Sequence, residues 1–522
     1  MIRFWQTVLI LFILVAVAVP LRWTNLSQRP FHADESVQAM KFRTLWNTGV
    51  YKYDPNEFHG PTLPYFSLPI HFISGAEIDT EKESVLRSVP ICYSLVGILL
   101  LLLLRVPLGT SGLIASALLL SITPSLLFYN RYYIHETLLF IFTLFFIGTI
   151  WKYSQSAQKK WIILSGVAMG LMFATKETFV FNIAAAVGSA IILLAFEKKD
   201  GKVTLFLKKI PLSHWFLGLS GFIAIWLILF SSFFSNIAGL LDSFKTYLPW
   251  LNRAGGSSPH IWPWYYYLER YFWFSKDGGP IFTELVILLP AALGIWSGFK
   301  ENTPPTLRRF SCFLAGYTLL LALIYCIIPY KTPWCFINVI LGLILLAGLG
   351  TRYICVCWHS IAAKTITLLI LLAGGIHLVY QDNLLNNTYF EESKNPHIYA
   401  HSISDIRYLA KTVEKLRSIY PDPQTMTIQV IAQNGDYWPL PWYLRQSDEK
   451  TGWYNTPPEK IFAPVVIYSP KFYSTLKEQF GSSYQSAGIY GFRPNLFFQL
   501  SVDKTLWKEY VDKGLAAEED ED

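Results

Sequence analysis

Residues 85–104 read VLRSVPICYSLVGILLLLLL, and residues 110–129 read TSGLIASALLLSITPSLLFY. Each run supplies the roughly 20 mostly apolar residues that a helix needs to cross about 30 Å of hydrocarbon. Similar runs recur near 4–22, 133–151, 161–175, 178–196, 213–234, 280–298, 310–329, 334–350 and 361–380, so about eleven transmembrane helices are expected. Composition agrees. Of 522 residues, 52% are apolar and only 15% charged, against about 25% charged in soluble domains. A disordered chain is excluded. The six cysteines (Cys92, Cys312, Cys326, Cys335, Cys355, Cys357) all sit in apolar runs without framework or metal spacing, so they read as small buried hydrophobes rather than a disulfide scaffold. In the shortest run, Gly166-x-x-x-Gly170 reads as a helix-packing face. Ala16-Val17-Ala18 resembles a signal-cleavage site, but an uncleaved anchor is favoured because the residues after it need tethering.

The net charge of +7 is explained by where the cations lie. With a cytoplasmic N-terminus, the inner loops receive Arg105, Lys152, Lys159, Lys160, Lys198, Lys199, Lys202, Lys208, Lys209, Lys300, Arg308, Arg309, Arg352 and Lys364. The short outer turns keep little beyond Arg131, Lys176 and Lys331. This positive-inside bias explains the charge without nucleic acid as a partner, and the helical spans, too long for the roughly ten-residue strands of an outer-membrane barrel, imply a multi-pass protein of the cytoplasmic (inner) membrane. A first outer loop (about 23–84) and an aromatic outer loop (about 235–279) then face the extracytoplasmic side. The membrane domain covers 1–380. Residues 381–515 form a small extracytoplasmic α/β domain, with strand-like runs at Thr425–Ala432 and Ala463–Tyr468 and a helical period over Ser404–Tyr420. The end, 516–522 (AAEEDED), is an acidic tail.

The polar residues of the outer side each carry two readings. Asp34-Glu35 follows the first span. Asp34 can serve as a general base or hold a metal, or the pair can simply cap a helix over Ser36–Trp46. His59 is a phosphate or acceptor ligand, or a satisfied loop histidine. Arg131 offers a bidentate fork to a phosphate, with Glu136 five residues on, or it snorkels at the interface. Lys176-Glu177 can be a local ion pair of little worth. Tyr330-Lys331 adds a phenol and a cation, and Arg270 lies among Trp250, Trp262, Trp264, Tyr265, Tyr266, Tyr267 and Trp273. That loop is an interfacial aromatic belt or a platform for a lipid tail or sugar face. Jointly, acids and cations above an apolar bundle suit an amphipathic substrate with its phosphate at the lipid surface. They suit a transport pathway poorly, since the spans hold few ionisable residues.

With these residues in place, the chain resembles the integral-membrane glycosyltransferases of the GT-C fold. More narrowly it resembles the flippase-activity-associated proteins, related to the protein-mannosyltransferase and aminoarabinose-transferase families. The matching segments run in order through about residues 1–340: His32-Ala33-Asp34-Glu35, Tyr53-Asp54-Pro55, His59-Gly60-Pro61, Arg87-Ser88-Val89-Pro90, Ser125–Glu136, Thr175-Lys176-Glu177, Gly278-Gly279-Pro280 and Tyr330-Lys331-Thr332-Pro333-Trp334. The resemblance implies transfer of a sugar from a polyprenyl-phosphate donor, on the outer face and with inversion, to an acceptor it does not identify. Asp34 becomes the principal catalytic carboxylate, supported by Glu35 and Glu136. Arg131, Lys176 and Lys331 neutralise the donor phosphate, and His59, Glu177, Arg270 and Tyr330 are further substrate contacts. A divalent cation, Mg²⁺ or Mn²⁺, if bound, has Asp34 and Glu136 as its candidate ligands. One position departs from the pattern: Asp preceded by Asn is expected where this chain has His135-Glu136, which puts metal geometry in question. The subgroup's name also leaves open a non-catalytic partner or carrier that assists flipping of lipid-linked saccharides.

Overall fold

The computed structural model describes residues 4–56, 59–80, 82–199, 210–255, 260–300, 303–358 and 360–515. The acidic tail, the loop lysines Lys202, Lys208 and Lys209, and Glu57-Phe58 lie outside the described residues. The chain divides into two compact units. One comprises Met1–Leu26, Asn47–Ile70 and Arg87–Tyr399; the other comprises Ser27–Trp46, His71–Leu86 and the chain from Ala400 on.

The helices, in order, are α1 (Phe4–Trp23), α2 (Ala33–Thr48), α3 (Thr62–Ser74), α4 (Glu83–Leu100), α5 (Arg105–Ile122), α6 (Pro124–Asn130), α7 (Glu136–Ser156), α8 (Lys159–Phe173), α9 (Phe179–Lys199) and α10 (Leu212–Phe230). Then come α11 (Ala238–Lys245), α12 (Tyr247–Gly255), α13 (Tyr266–Phe272), α14 (Leu288–Gly298), α15 (Pro305–Ile327), α16 (Ile337–Cys357) and α17 (Ile361–Asn383). Every apolar run of the sequence overlaps a helix over all or part of its length. Among the described residues, seven helical stretches are long and apolar enough to cross a membrane, and one of them, Glu83–Ile122, takes in the expected span 85–104 and the first part of 110–129. Helix α8, with 15 residues, is only about 22 Å long at 1.5 Å per residue.

Two expected boundaries move, for local reasons. The run 110–129 breaks at Thr123, whose extended backbone (ψ 122°) precedes Pro124 at the start of α6, because a residue before proline is pushed out of the helical region. The run 280–298 becomes helical only after Glu284, through a 3₁₀ turn at Leu285–Ile287.

The first unit is a helical bundle. Its core includes Leu104, Leu108, Leu113, Leu144, Ile340 and Leu345, all fully buried. Gly166 packs against α10 as its spacing suggested: a Cβ there would sit 1.8 Å from the carbonyl oxygen of Gly218. Only glycine permits that approach of two backbones.

The second unit carries a five-stranded sheet of β1 (Ile428–Ile431), β2 (Thr451–Tyr454), β3 (Val465–Tyr468), β4 (Tyr484–Arg493) and β5 (Leu496–Asp503), in the order β2-β1-β3-β5-β4. β1 is parallel to β2 and β3, while β5 is antiparallel to β3 and β4. β3 reads as unbroken apolar sequence because both its faces are covered. Val465 and Ile467 join one core cluster, Val466 and Tyr468 the other. The helix expected over Ser404–Tyr420 is α18 (Asp405–Ile419), with Ile406, Leu409, Val413 and Leu416 buried. Short helices α19 (Leu440–Tyr443), α20 (Tyr473–Phe480) and α21 (Lys504–Asp512) complete the unit.

Candidate functional site

The candidate residues fall into separate clusters, one of them in the second unit. There, Asp34 and Glu35 have different surroundings. Glu35 is fully buried and accepts the backbone N–H of His32 at 3.0 Å. His32 Nδ1 in turn accepts the N–H of Asp34 at 3.0 Å. This is a reciprocal capping box at the start of α2, with histidine in the place usually taken by Ser or Thr. The capping reading therefore describes Glu35. The Asp34 side chain is 42% exposed, and its carboxylate makes no hydrogen bond among the described residues; His32 Nδ1 lies 3.8 Å away, and the Asp34 charge is also felt by the Arg493 guanidinium. Since His32 Nδ1 accepts from the Asp34 N–H, it carries no proton to offer the carboxylate.

The other cluster belongs to the first unit and is built on a zipped pair of turns. Gly60 N–H donates to Thr175 O at 3.0 Å and Thr62 N–H to Ala174 O at 3.1 Å. A Cβ on Gly60 would lie 2.1 Å from Ala174 O, which is why the histidine of this loop is followed by glycine. The zipper brings His59 to Glu177, with Nδ1 and Oε2 2.7 Å apart. Tyr53 Oη and Thr246 Oγ1 add contacts to Glu177 Oε1 at 3.4 and 3.5 Å. Glu177 is buried while the His59 side chain stays 31% exposed, so the acid orients a part-exposed ring that also packs edge-on against His135, ring centres 5.3 Å apart. Lys176 turns the opposite way and pairs with Glu136, both buried. The adjacent Lys176 and Glu177 thus each take a partner from another element. His135, fully buried, hydrogen-bonds Gly60 O through Nε2 at 2.9 Å, and its Nδ1 has no partner among the described residues.

The electrostatics follow from burial and these pairs. Burial alone would raise the pKa of Glu177, but the charge and hydrogen bond of His59 outweigh it and hold the carboxyl at about 2. Burial alone would lower Lys176, but the Glu136 charge outweighs it and holds the ammonium above its ordinary range. Burial, then the neighbouring His59, push His135 well below the usual histidine range, so it is neutral. A carboxyl lowered from 4.5 to about 2 stabilises the fold above pH 4.5, and that contribution fades as pH falls through 2. Glu177→Gln is expected to lower stability by about 3 kcal/mol at pH 7, a shift of roughly 2.5 pKa values at 1.36 kcal/mol each. The deficit in thermal stability against wild type should shrink as pH drops below 4.5. A deficit unchanged between pH 7 and 3 would contradict this account.

The remaining candidates are not gathered here. Arg131 is buried and donates to Thr24 O at 2.7 Å; burial lowers its pKa to about 10, against the opposing charge of Asp382. Lys331 Nζ donates to Cys326 O at 3.0 Å and to Ile328 O, closing the end of α15. Arg270 donates to Pro396 O at 2.7 Å and lies against the rings of Tyr266 and Phe274. Tyr330 packs on His260, with ring centres 5.0 Å apart. The aromatic loop divides between two environments. Tyr266, Tyr267 and Tyr271 are core residues, with Tyr267 stacked on Phe336 at 4.8 Å, whereas Trp264 and Trp273 are exposed. Sequence reading missed His135, Tyr53 and Thr246 as neighbours of the cluster. His135 stood beside Glu136, but Thr246 had no local signal.

A metal shell is not evident. Among the described residues no three His, Cys, Asp or Glu side chains gather as a cation would need. Glu136, one of the two candidate ligands, is already paired with an ammonium.

Residues 63–228 match the model of the PMT_2 family, dolichyl-phosphate-mannose-protein mannosyltransferase. The structure is similar to that of ArnT from Cupriavidus metallidurans bound to undecaprenyl phosphate, with a TM-score of 0.63 and 13% identity over 95% of this chain and 98% of that one. It is also similar to the Archaeoglobus fulgidus oligosaccharyltransferase tethered with an acceptor peptide, with a TM-score of 0.58 and 13% identity over 94% and 74% of the two chains. No curated protein sequence matches. At such identities the likeness establishes the fold, a mostly helical GT-C membrane architecture with a small C-terminal sheet domain.

Proposed function

We propose that this chain is a glycosyltransferase that takes a sugar from a polyprenyl-phosphate donor and passes it, with inversion, to an acceptor at the extracytoplasmic face of the cytoplasmic membrane. The observation that carries the reading is the division of labour between two adjacent acids. Glu35 is taken up by the helix cap, while Asp34 keeps a half-exposed carboxylate that makes no hydrogen bond among the described residues. The family match over 63–228 and the fold support the reaction class.

Asp34 takes the proton of an acceptor hydroxyl or amine. The freed lone pair forms the new bond to the anomeric carbon as the bond from that carbon to the phosphate oxygen breaks. The departing electron pair stays on that oxygen, so polyprenyl phosphate leaves with one more negative charge. In the first unit, His59, part-exposed beside Glu177, and Lys176, paired with Glu136, are assigned to such a phosphate. The charge distribution along the sequence supports a cytoplasmic N-terminus.

The test uses the full-length protein in nanodiscs with a panel of radiolabelled polyprenyl-phosphate sugars, reading release of free polyprenyl phosphate with and without Mg²⁺, Mn²⁺ or chelator. Release from one donor is expected. Donor binding without release, in the presence of membrane extract as acceptor source, would instead favour a carrier of lipid-linked saccharides.

A further inference from the structure

We infer that Tyr443, Arg407 and Glu83 form a latch that positions Asp34, which makes the C-terminal domain part of the catalytic apparatus rather than an appended docking module. The inference rests on the proposed role of Asp34 and adds residues that act through it.

The geometry is contained within the second unit. Tyr443, at the end of α19, accepts the Phe31 N–H at 2.8 Å and donates to Glu83 Oε1 at 2.9 Å. Arg407 of α18 reaches the same Glu83 oxygen through Nε at 3.1 Å and Nη2 at 2.8 Å. Its Nη1 and Nη2 also donate to Gln28 O and Arg29 O, each at 2.9 Å. Three backbone groups within residues 28–31 are thereby fixed from outside, immediately before the helix that bears Asp34. Ser36 Oγ, one turn into α2, donates to Pro439 O at 3.1 Å. The fully buried Phe31 packs on Trp442 with ring centres 5.3 Å apart. At the far end of α2, Arg43 binds Asp79 at 2.6 Å and Asp448 at 3.1 Å.

The arrangement has the form of support for a site more than of a stability device. Surface ion pairs contribute little by themselves, yet here a charged pair, Glu83–Arg407, is spent on backbone carbonyls and a tyrosine hydroxyl at one turn. A base must be held within about 0.5 Å of its working position. Among the described residues the Asp34 side chain makes no hydrogen bond, so its placement depends on the backbone that enters α2. None of the latch residues touches the reacting atoms; they are positioning residues.

The test compares wild type, Tyr443→Phe and Arg407→Gln as full-length protein in nanodiscs, with polyprenyl-phosphate sugar as the probe. Hydrogen–deuterium exchange over 28–36 and steady-state release of polyprenyl phosphate are measured together. Both variants should speed exchange there and lower kcat about tenfold with the donor KM unchanged, within the range that small misplacement of a reacting group produces. In an Asp34→Asn background, Tyr443→Phe should speed exchange yet leave the residual rate where it was. Wild-type kcat in Tyr443→Phe beside an inactive Asp34→Asn would overturn the latch alone. Wild-type release by Asp34→Asn would overturn the base assignment instead. A Tyr443→Phe loss that persists undiminished in the Asp34→Asn background would mark the tyrosine as a general structural residue and also overturn the latch.

Discussion

Asp34→Asn should reduce release of polyprenyl phosphate by about 10²–10⁴-fold, the usual contribution of a positioned general base. It should leave thermal stability close to wild type. Asparagine keeps the size of the side chain, and the carboxylate it replaces makes no hydrogen bond among the described residues, so folding loses little. The neighbouring acid predicts the reverse pattern. Glu35→Ala removes the acceptor for the buried His32 N–H, leaving that donor unsatisfied at a cost of about 1–3 kcal/mol. Glu35→Gln retains an oxygen for the same bond and should be mild in both respects. The two acids are therefore separable by experiment: one variant stable and slow, the other unstable yet able to turn over while folded. Equal loss of stability in Asp34→Asn and Glu35→Ala would sink the distinction. A full rate in Asp34→Asn would sink the assigned chemistry.

That distinction was not legible in the sequence, and the reason is physical. Two adjacent acids at the start of a helix have the same composition, charge and propensity. What separates them is which one sits three residues past the cap and bends back to it, with a histidine completing the box. The apolar runs were far more legible because burial in lipid or in a bundle selects composition over 20-residue lengths, where single-residue detail averages out. Where one residue decides, the averaging fails, as at Thr123-Pro124, although that proline was itself a visible signal. The cations show a similar limit. Arg131 and Lys331 have the charge for a phosphate, but their long side chains reach carbonyls at chain turns, Thr24 O and the end of α15. Such contacts join positions far apart in sequence or depend on the angle of a turn. In the sheet domain β1, β3 and α18 were readable from periodicity. β4 and β5 were not read, although Pro494-Asn495 between them, with Asn495 at φ 64°, is a hairpin signal between two alternating runs.

Lys176→Met should strongly destabilise the first unit. Glu136 and Lys176 are both nearly inaccessible, at 4% and 6% side-chain exposure. Removing one partner strands the other charge in a low-dielectric interior, a loss of about 3–5 kcal/mol. Glu136→Gln should be comparably harmful for the same reason, and Glu136→Asp should fall between, since one fewer methylene withdraws the carboxylate from the ammonium. The double variant Glu136→Leu/Lys176→Met is expected to recover most of the stability, because exchanging a whole buried pair for hydrophobic groups of similar volume is often near neutral. This recovery makes function readable apart from folding. If Lys176 meets the phosphate of the lipid donor, the folded double variant should show a weaker donor KM, a lower kcat, or both. Glu136 then serves to keep a cation charged at a depth where burial alone would discharge it. If the double variant is both stable and fully active, the pair is structural, and the donor phosphate falls to His59, the exposed member of the neighbouring dyad. Single variants as stable as wild type would contradict the burial of the pair itself.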